Sequence, residues 1–231
     1  MPDNHLHINR QYPKLKICGM KYPENIAEAA RLHPDYMGFI FYDKSPRYVA
    51  GEIPDLPSGI KKTGVFVKAS IETITTKIMK YNLQAVQLHG NEPADFCKEL
   101  AAVLSGNEYP HKVEIIKVFS IQDSFDFEQL KPFENTVDYF LFDTKGKLPG
   151  GNGYTFDWKV LKDYPSEKPF FLSGGIGPEE TDKVLGFLEN NNRLTARCYA
   201  IDVNSRFEIE PGLKNTEKLK EFKSKISCQH Q

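Results

Sequence analysis

Short apolar runs, each ended by glycine or a polar residue, recur along the chain and alternate with stretches that carry helix signals. The first run, Leu15-Lys16-Ile17-Cys18-Gly19-Met20, predicts a strand, in which alternate residues share a face, so that Lys16 and Cys18 point the same way. Further strands are predicted over 36–41, 63–67, 85–90, 113–119, 139–144, 170–173 and 199–203. Helices are predicted from Pro23 to about Arg31, from the N-cap Ser70 to about Tyr81, and from Pro93 to about Leu104. Others are expected over 127–133, 157–162, 178–188 and 215–225. The connection holding Pro54 and Pro57 is the weakest helix in the pattern.

Eight strand-then-helix units at even spacing imply a parallel sheet, and eight of them in about 250 residues or fewer imply a closed (β/α)8 TIM barrel of the α/β class. The barrel is expected to occupy 14–231 as one domain behind a polar tail over 1–13, which does not read as a signal peptide. A doubly wound open sheet is the main alternative; it usually carries a G-x-G-x-x-G turn after its first strand, and Gly19-Met20-Lys21 is not one.

Charge and cysteine content narrow the partners. The 231 residues include 30 basic and 31 acidic side chains, for a net charge of -1, which argues against nucleic acid or an acidic membrane surface. No apolar run is long enough to span a bilayer. Cys18, Cys97, Cys198 and Cys228 form no C-x-x-C pair and match no zinc spacing, so no metal is expected, and a reducing, cytoplasmic setting is.

In such a barrel the chemistry lies at the carboxyl ends of the strands. Polar residues expected there are Cys18, Arg47, Gln87, His89, Asp143, Ser173 to Gly177, Asp202, Asn204 and Ser205. Ser173-Gly174-Gly175-Ile176-Gly177-Pro178 is a glycine-rich turn running into a helix, and with Asn204 and Ser205 after strand eight it reads as a phosphate site rather than only a tight turn. Asp143 reads equally as a structural cap or as a proton carrier. A thiol at a strand end beside a lysine is where a thiolate becomes accessible near neutral pH, although a small buried hydrophobe is the commoner fate of a free cysteine. Arg47 offers a fork for a carboxylate or phosphate, against the commoner solvated loop arginine. His89 is given a supporting place, and Lys117, in mid-strand, an internal ion pair.

Taken together, these motifs resemble the phosphoribosylanthranilate isomerase family from Lys16 to Lys214. The resemblance rests on Lys-Ile-Cys-Gly at 16–19, Gly-Phe-Ile-Phe with Ser-Pro-Arg-Tyr-Val between 38 and 49, and Gly-Val-Phe-Val at 64–67. It continues through Val-Gln-Leu-His-Gly at 86–90, Phe-Asp-Thr at 142–144, Gly-Gly-Asn-Gly-Tyr-Thr-Phe-Asp-Trp at 150–158, Leu-Ser-Gly-Gly-Ile at 172–176 and Asp-Val-Asn-Ser at 202–205. Glu208 and Pro211-Gly212-Leu213-Lys214 follow. What the resemblance implies is an Amadori rearrangement of N-(5-phosphoribosyl)anthranilate in tryptophan biosynthesis, without metal or cofactor, by a monomer or homodimer. It implies Asp143 as general acid, Cys18 as general base, Arg47 on the anthranilate carboxylate with His89 beside the substrate, and Gly174, Gly175, Asn204 and Ser205 on the phosphate.

Two departures stand out. Arg206 follows Ser205 where the family usually has glycine, and Asn152 and Tyr154 replace the usual Thr and Lys in a glycine-rich loop that reads as a mobile cover. In a closed barrel strand eight neighbours strand one, so Lys16 is expected to lower the Cys18 pKa while Asp202 moderates it. Two other readings compete. The histidine-pathway isomerase performs the same rearrangement, but resembles a duplicated half-barrel and uses two aspartates, whereas strand one here ends in Cys18 and no half-repeat is evident. A non-catalytic phosphate-ligand barrel needs no Cys18 and Asp143 at opposing strand ends.

Overall fold

The computed structural model describes residues 13–106, 109–144 and 157–227. Eight parallel strands close into a barrel in chain order: β1 (Lys14–Ile17), β2 (Tyr36–Ile40), β3 (Lys61–Phe66), β4 (Ala85–Leu88), β5 (Glu114–Ile121), β6 (Tyr139–Thr144), β7 (Phe170–Leu172) and β8 (Cys198–Val203). The seam joins β1 to β8, with Lys16 opposite Asp202 and Ile17 opposite Val203. The (β/α)8 barrel expected from the pattern is therefore the fold.

Strand parity decides what enters the barrel. Along β6, Phe140 and Phe142 pack outward into the layer between strands and helices, while Leu141 joins an inner cluster with Tyr36, Ala85, Ile116, Val118, Phe171 and Ala200. Two residues beyond each inner-cluster position the same face continues to the rim, because side chains alternate with period two. Ala85 thus leads to Gln87 and His89, Leu141 to Asp143, and Ala200 to Asp202 and Asn204. Leu15 and Ile17 belong to the outer layer, which leaves Lys16 and Cys18 inside, on one face as expected.

Lys117 has the opposite parity to Ile116 and Val118. It is buried outside the strands, where its Nζ pairs with Glu92 at 3.0 Å and donates to the Gly90 carbonyl at 2.7 Å. The expected internal ion pair is present. At the amino end of the barrel a polar plug joins Tyr36 to Glu114 at 2.9 Å, Lys14 to Tyr199 at 2.9 Å and Lys61 to Glu114 at 2.5 Å.

The helical layer is less regular than the strands. The helices are α1 (Pro23–Ala30), α2 (Ile71–Tyr81), α3 (Ala94–Leu104), α4 (Thr181–Glu189), a short α5 (Asn192–Thr195) and α6 (Thr216–Ser227). Ser70 caps α2 as expected, its Oγ accepting from the Thr73 N–H at 3.1 Å. No helix forms between β2 and β3, where Pro54 and Pro57 interrupt the backbone. Beyond β5 and β6 the expected α-helices are 3₁₀ segments, Phe127–Phe133 and Trp158–Asp163, the first with Pro132 inside it. A hairpin of β9 (Glu208–Glu210) and β10 (Leu213–Lys214) follows β8, and its pattern is too short to have been predicted. Most of the tail, residues 1–12, and the glycine-rich loop with Asn152 and Tyr154 lie outside the described residues.

Candidate active site

One cavity of about 740 Å³, its open mouth included, lies at the carboxyl end of the barrel. Cys18, Arg47, His89, Asp143, Gly174, Gly175, Asn204 and Ser205 all line it, so the sequence-predicted site residues converge. Cys18 leaves β1 with its N–H donating to the Val203 carbonyl at 2.9 Å, and it is only 4% exposed. Its side chain has room because Gly38 lies opposite on β2: a Cβ there would stand 2.7 Å from the Cys18 Sγ.

Behind Cys18, the wholly buried Lys16 pairs with Asp202 at 2.9 Å, and the Ser173 hydroxyl donates to the same carboxylate at 3.4 Å. Burial pushes the Cys18 thiol up; the Lys16 and Lys214 ammonium groups pull it down, and Asp202 pushes it further up. The charges act in the expected directions, but burial wins, so the thiol ionises above its ordinary range. That corrects the expectation of a thiolate near neutral pH: a neighbouring cation is legible in the sequence, whereas the loss of water around Sγ is not.

Asp143 lines the same cavity from the end of β6. Its Oδ1 accepts from the Thr144 N–H at 2.9 Å, and its Oδ2 lies 3.4 Å from His89 Nε2. His89 Nδ1 lies 3.0 Å from the Gln87 amide nitrogen. With that nitrogen as donor, Nδ1 is the acceptor and the imidazole proton sits on Nε2, directed at Asp143. The supporting place given to His89 is thus an orienting contact with the proposed acid.

Arg47 is not a solvated loop arginine. Its side chain is 12% exposed and forks onto Glu208, Nε donating at 2.8 Å and Nη2 at 2.6 Å. Glu208 also accepts from Lys214 Nζ at 2.6 Å and from the Gly212 N–H at 3.0 Å. Burial opposes the Glu208 charge, but Arg47 and Lys214 more than offset it and hold the carboxyl below its usual range. Burial lowers Lys214 to about 8 despite Glu208. Glu208 and Lys214 sit behind the cavity wall, and sequence reasoning gave them no role. Their only signal was the match at the end of the motif series.

In the same lining, Gly174 and Gly175 take positive φ angles of 91° and 70°, and a side chain at Gly174 would collide with Thr144 at the end of β6. Asn204 accepts from Lys214 Nζ at 2.7 Å, which holds its amide at the rim. Arg206 lines the cavity too, with Nη2 3.4 Å from Glu179 and 3.7 Å from Glu180. Its guanidinium is therefore tethered at the rim, beside the glycine turn. Among the described residues, no cluster of three His, Cys, Asp or Glu side chains is placed to hold a metal ion, and no helix is long and apolar enough to cross a membrane.

Residues 15–225 match the family model for N-(5'phosphoribosyl)anthranilate (PRA) isomerase. The chain belongs to the PRA isomerase family. An N-(5'-phosphoribosyl)anthranilate isomerase of Parabacteroides distasonis is 42% identical over 220 residues, covering 92% of each chain. The phosphoribosyl anthranilate isomerase of Thermus thermophilus superposes with a TM-score of 0.75 at 26% identity, over 93% of this chain and 98% of that one. A further isomerase structure, in complex with reduced 1-(o-carboxyphenylamino)-1-deoxyribulose 5-phosphate, superposes with a TM-score of 0.71 at 27% identity, over 93% of this chain and 98% of that one. Against the PRA isomerase pattern, the Arg206 departure now has a place: the side chain is paired to the acidic residues after the glycine turn rather than directed to bulk solvent.

Proposed function

We propose that this chain converts N-(5-phosphoribosyl)anthranilate to 1-(2-carboxyphenylamino)-1-deoxyribulose 5-phosphate, an aldose–ketose isomerisation of tryptophan biosynthesis. The observation that carries the reading is the convergence of Cys18 and Asp143 on one cavity whose lining also holds Arg47, Gly174, Gly175, Asn204 and Ser205. Arg47 takes the anthranilate carboxylate, and the glycine turn with Asn204 and Ser205 takes the phosphate. The two anchors supply the orientation on which the chemistry depends. All of these groups come from one chain, so the reading holds for a monomer or a homodimer, and we place it in the cytoplasm.

In the first step the Asp143 carboxylic acid gives its proton to the ribose ring oxygen. The bond from that oxygen to the anomeric carbon breaks, and the nitrogen lone pair forms a cationic iminium. His89 beside Asp143 keeps the carboxyl turned into the cavity. Cys18, as thiolate, then removes the proton from the sugar's second carbon. The electron pair released forms the carbon–carbon double bond of an enolamine and neutralises the iminium. Tautomerisation moves the proton held by Cys18 to the first carbon and returns the hydroxyl proton to Asp143, so both side chains finish as they began. The residues of the cavity supply every proton transfer. The iminium next to Sγ adds a positive charge at the moment the base acts, in the same sense as Lys16 and Lys214.

The test is the decay of the fluorescence of freshly made phosphoribosylanthranilate on adding the protein, run beside Asp143→Asn. The native chain is expected to consume the substrate and the variant to leave it. Equal decay with both proteins overturns the assignment of the acid, and no decay with the native chain overturns the reading.

A further inference from the structure

The fork between Arg47 and Glu208 raises a charge problem. Glu208 occupies the Nε and Nη2 side of the guanidinium, and its carboxylate cancels the cation that an incoming carboxylate needs. Yet the outer edge of Arg47, formed by Nη1 with the remaining Nη2 hydrogen, has no partner among the described residues and belongs to the cavity wall. Lys214 is only 1% exposed; its Nζ donates at 2.6 Å to the same Glu208 oxygen that Arg47 Nε reaches, and at 2.7 Å to Asn204. A buried lysine is costly, and this one does not line the cavity, so it neither touches a ligand there nor gains solvation. What it does gain is a fixed place beside the carboxylate. Arg47, Glu208 and Lys214 together carry one net positive charge; without Lys214 they carry none.

We propose that Lys214 is a positioning residue whose ammonium offsets Glu208, so that Arg47 is held in orientation by Glu208 and still attracts the aryl carboxylate of the substrate through its free edge. Glu208 supplies direction and Lys214 restores charge. The proposal rests on the carboxylate role of Arg47 given above. A unit charge roughly 8 Å from the ligand carboxylate, at an effective dielectric constant of about 20, changes affinity by about tenfold or more.

The full chain is tested by calorimetric titration with two ligands. One is reduced 1-(o-carboxyphenylamino)-1-deoxyribulose 5-phosphate, and the other is its N-phenyl counterpart, which lacks the carboxylate. Both ligands share the phosphate contacts that Lys214 supports through Asn204, so Lys214→Met is expected to weaken the first ligand about tenfold or more beyond any loss in the second. Adding Glu208→Gln to that variant restores one net positive charge and should recover the lost affinity. Equal weakening of both ligands, or no recovery in the double variant, makes Lys214 a packing residue and overturns the proposal. Should Lys214→Met not fold, Lys214→Gln, which keeps a polar group beside Glu208 and Asn204 but no charge, decides: a loss larger for the carboxylate ligand is expected, and equal loss or none is contrary. A native chain that binds both ligands alike instead overturns the carboxylate role of Arg47 itself, which the variants do not address.

Discussion

Replacing Lys16 with methionine isolates the electrostatics of Cys18. Lys16 is wholly buried, 2.9 Å from Asp202, and it shares a strand face with Cys18. Methionine keeps the length of the side chain and removes the charge. Two effects follow. Asp202 loses its buried partner, which costs about 3–5 kcal/mol of stability. Cys18 loses the cation that pulls its thiol down while Asp202 goes on pushing it up. At roughly 6 Å and an effective dielectric constant of about 20, the lost attraction is about 3 kcal/mol, or about two pH units. Protonation of the stranded Asp202, whose carboxyl burial already pushes up, removes part of this. A net rise remains.

The sign matters for the assay. A higher thiol pKa leaves less thiolate at any given pH. The alkylation rate of Cys18 at fixed pH should fall about tenfold for one unit, and the acid limb of kcat/KM should move to higher pH with it. Iodoacetamide labelling followed by mass spectrometry of the Cys18 peptide reads the first quantity. Cys97 and Cys198, pushed up to about 11 and about 12 by burial, serve as internal references that the substitution should leave alone. Asp202→Asn on the Lys16→Met background removes the same charge as protonation of Asp202, so the Cys18 shift should be no larger than in Lys16→Met alone. A Lys16→Met protein whose Cys18 labelling profile superposes on that of the native chain refutes the electrostatic account.

Gly38→Ala puts a methyl group 2.7 Å from the Cys18 Sγ and 3.1 Å from its Cα, so the strand end must shift. A displacement of order 1 Å is expected to lower kcat by up to about 10²-fold with the barrel's circular dichroism unchanged; native turnover would contradict the fit. Lys117→Met strands the buried Glu92 carboxylate, which also accepts from the Lys68 N–H at 2.8 Å. Urea unfolding should show a loss of about 3–5 kcal/mol that Glu92→Leu largely restores, and a loss under about 1 kcal/mol would mean that the pair is idle.

Much of the barrel is legible in the chain because its strands are short buried runs, and period two then sorts Lys16 and Cys18, Gln87 and His89, and Asp143 onto the inner face from residue order alone. The 3₁₀ segments after β5 and β6 escape because six or seven residues are too few to establish a helical period. The Arg47–Glu208–Lys214 cluster escapes for a different reason. Arg47 and Glu208 are 161 residues apart, and a three-residue strand followed by a two-residue one gives the hairpin that joins them no periodic signature. Cys18 shows the remaining gap: its charged neighbours are visible in the sequence order of a closed barrel, but the burial that outweighs them appears only once the walls are assembled.

The most direct test of the acid–base pair is single-turnover consumption of phosphoribosylanthranilate by Cys18→Ala, Asp143→Asn and the double variant. Groups that act in one sequence of proton transfers are not additive. Each single variant should lose about 10²-fold or more in rate, and the double variant should be little worse than the slower of the two. A Cys18→Ala or Asp143→Asn protein that turns over at the native rate would contradict the account at its centre.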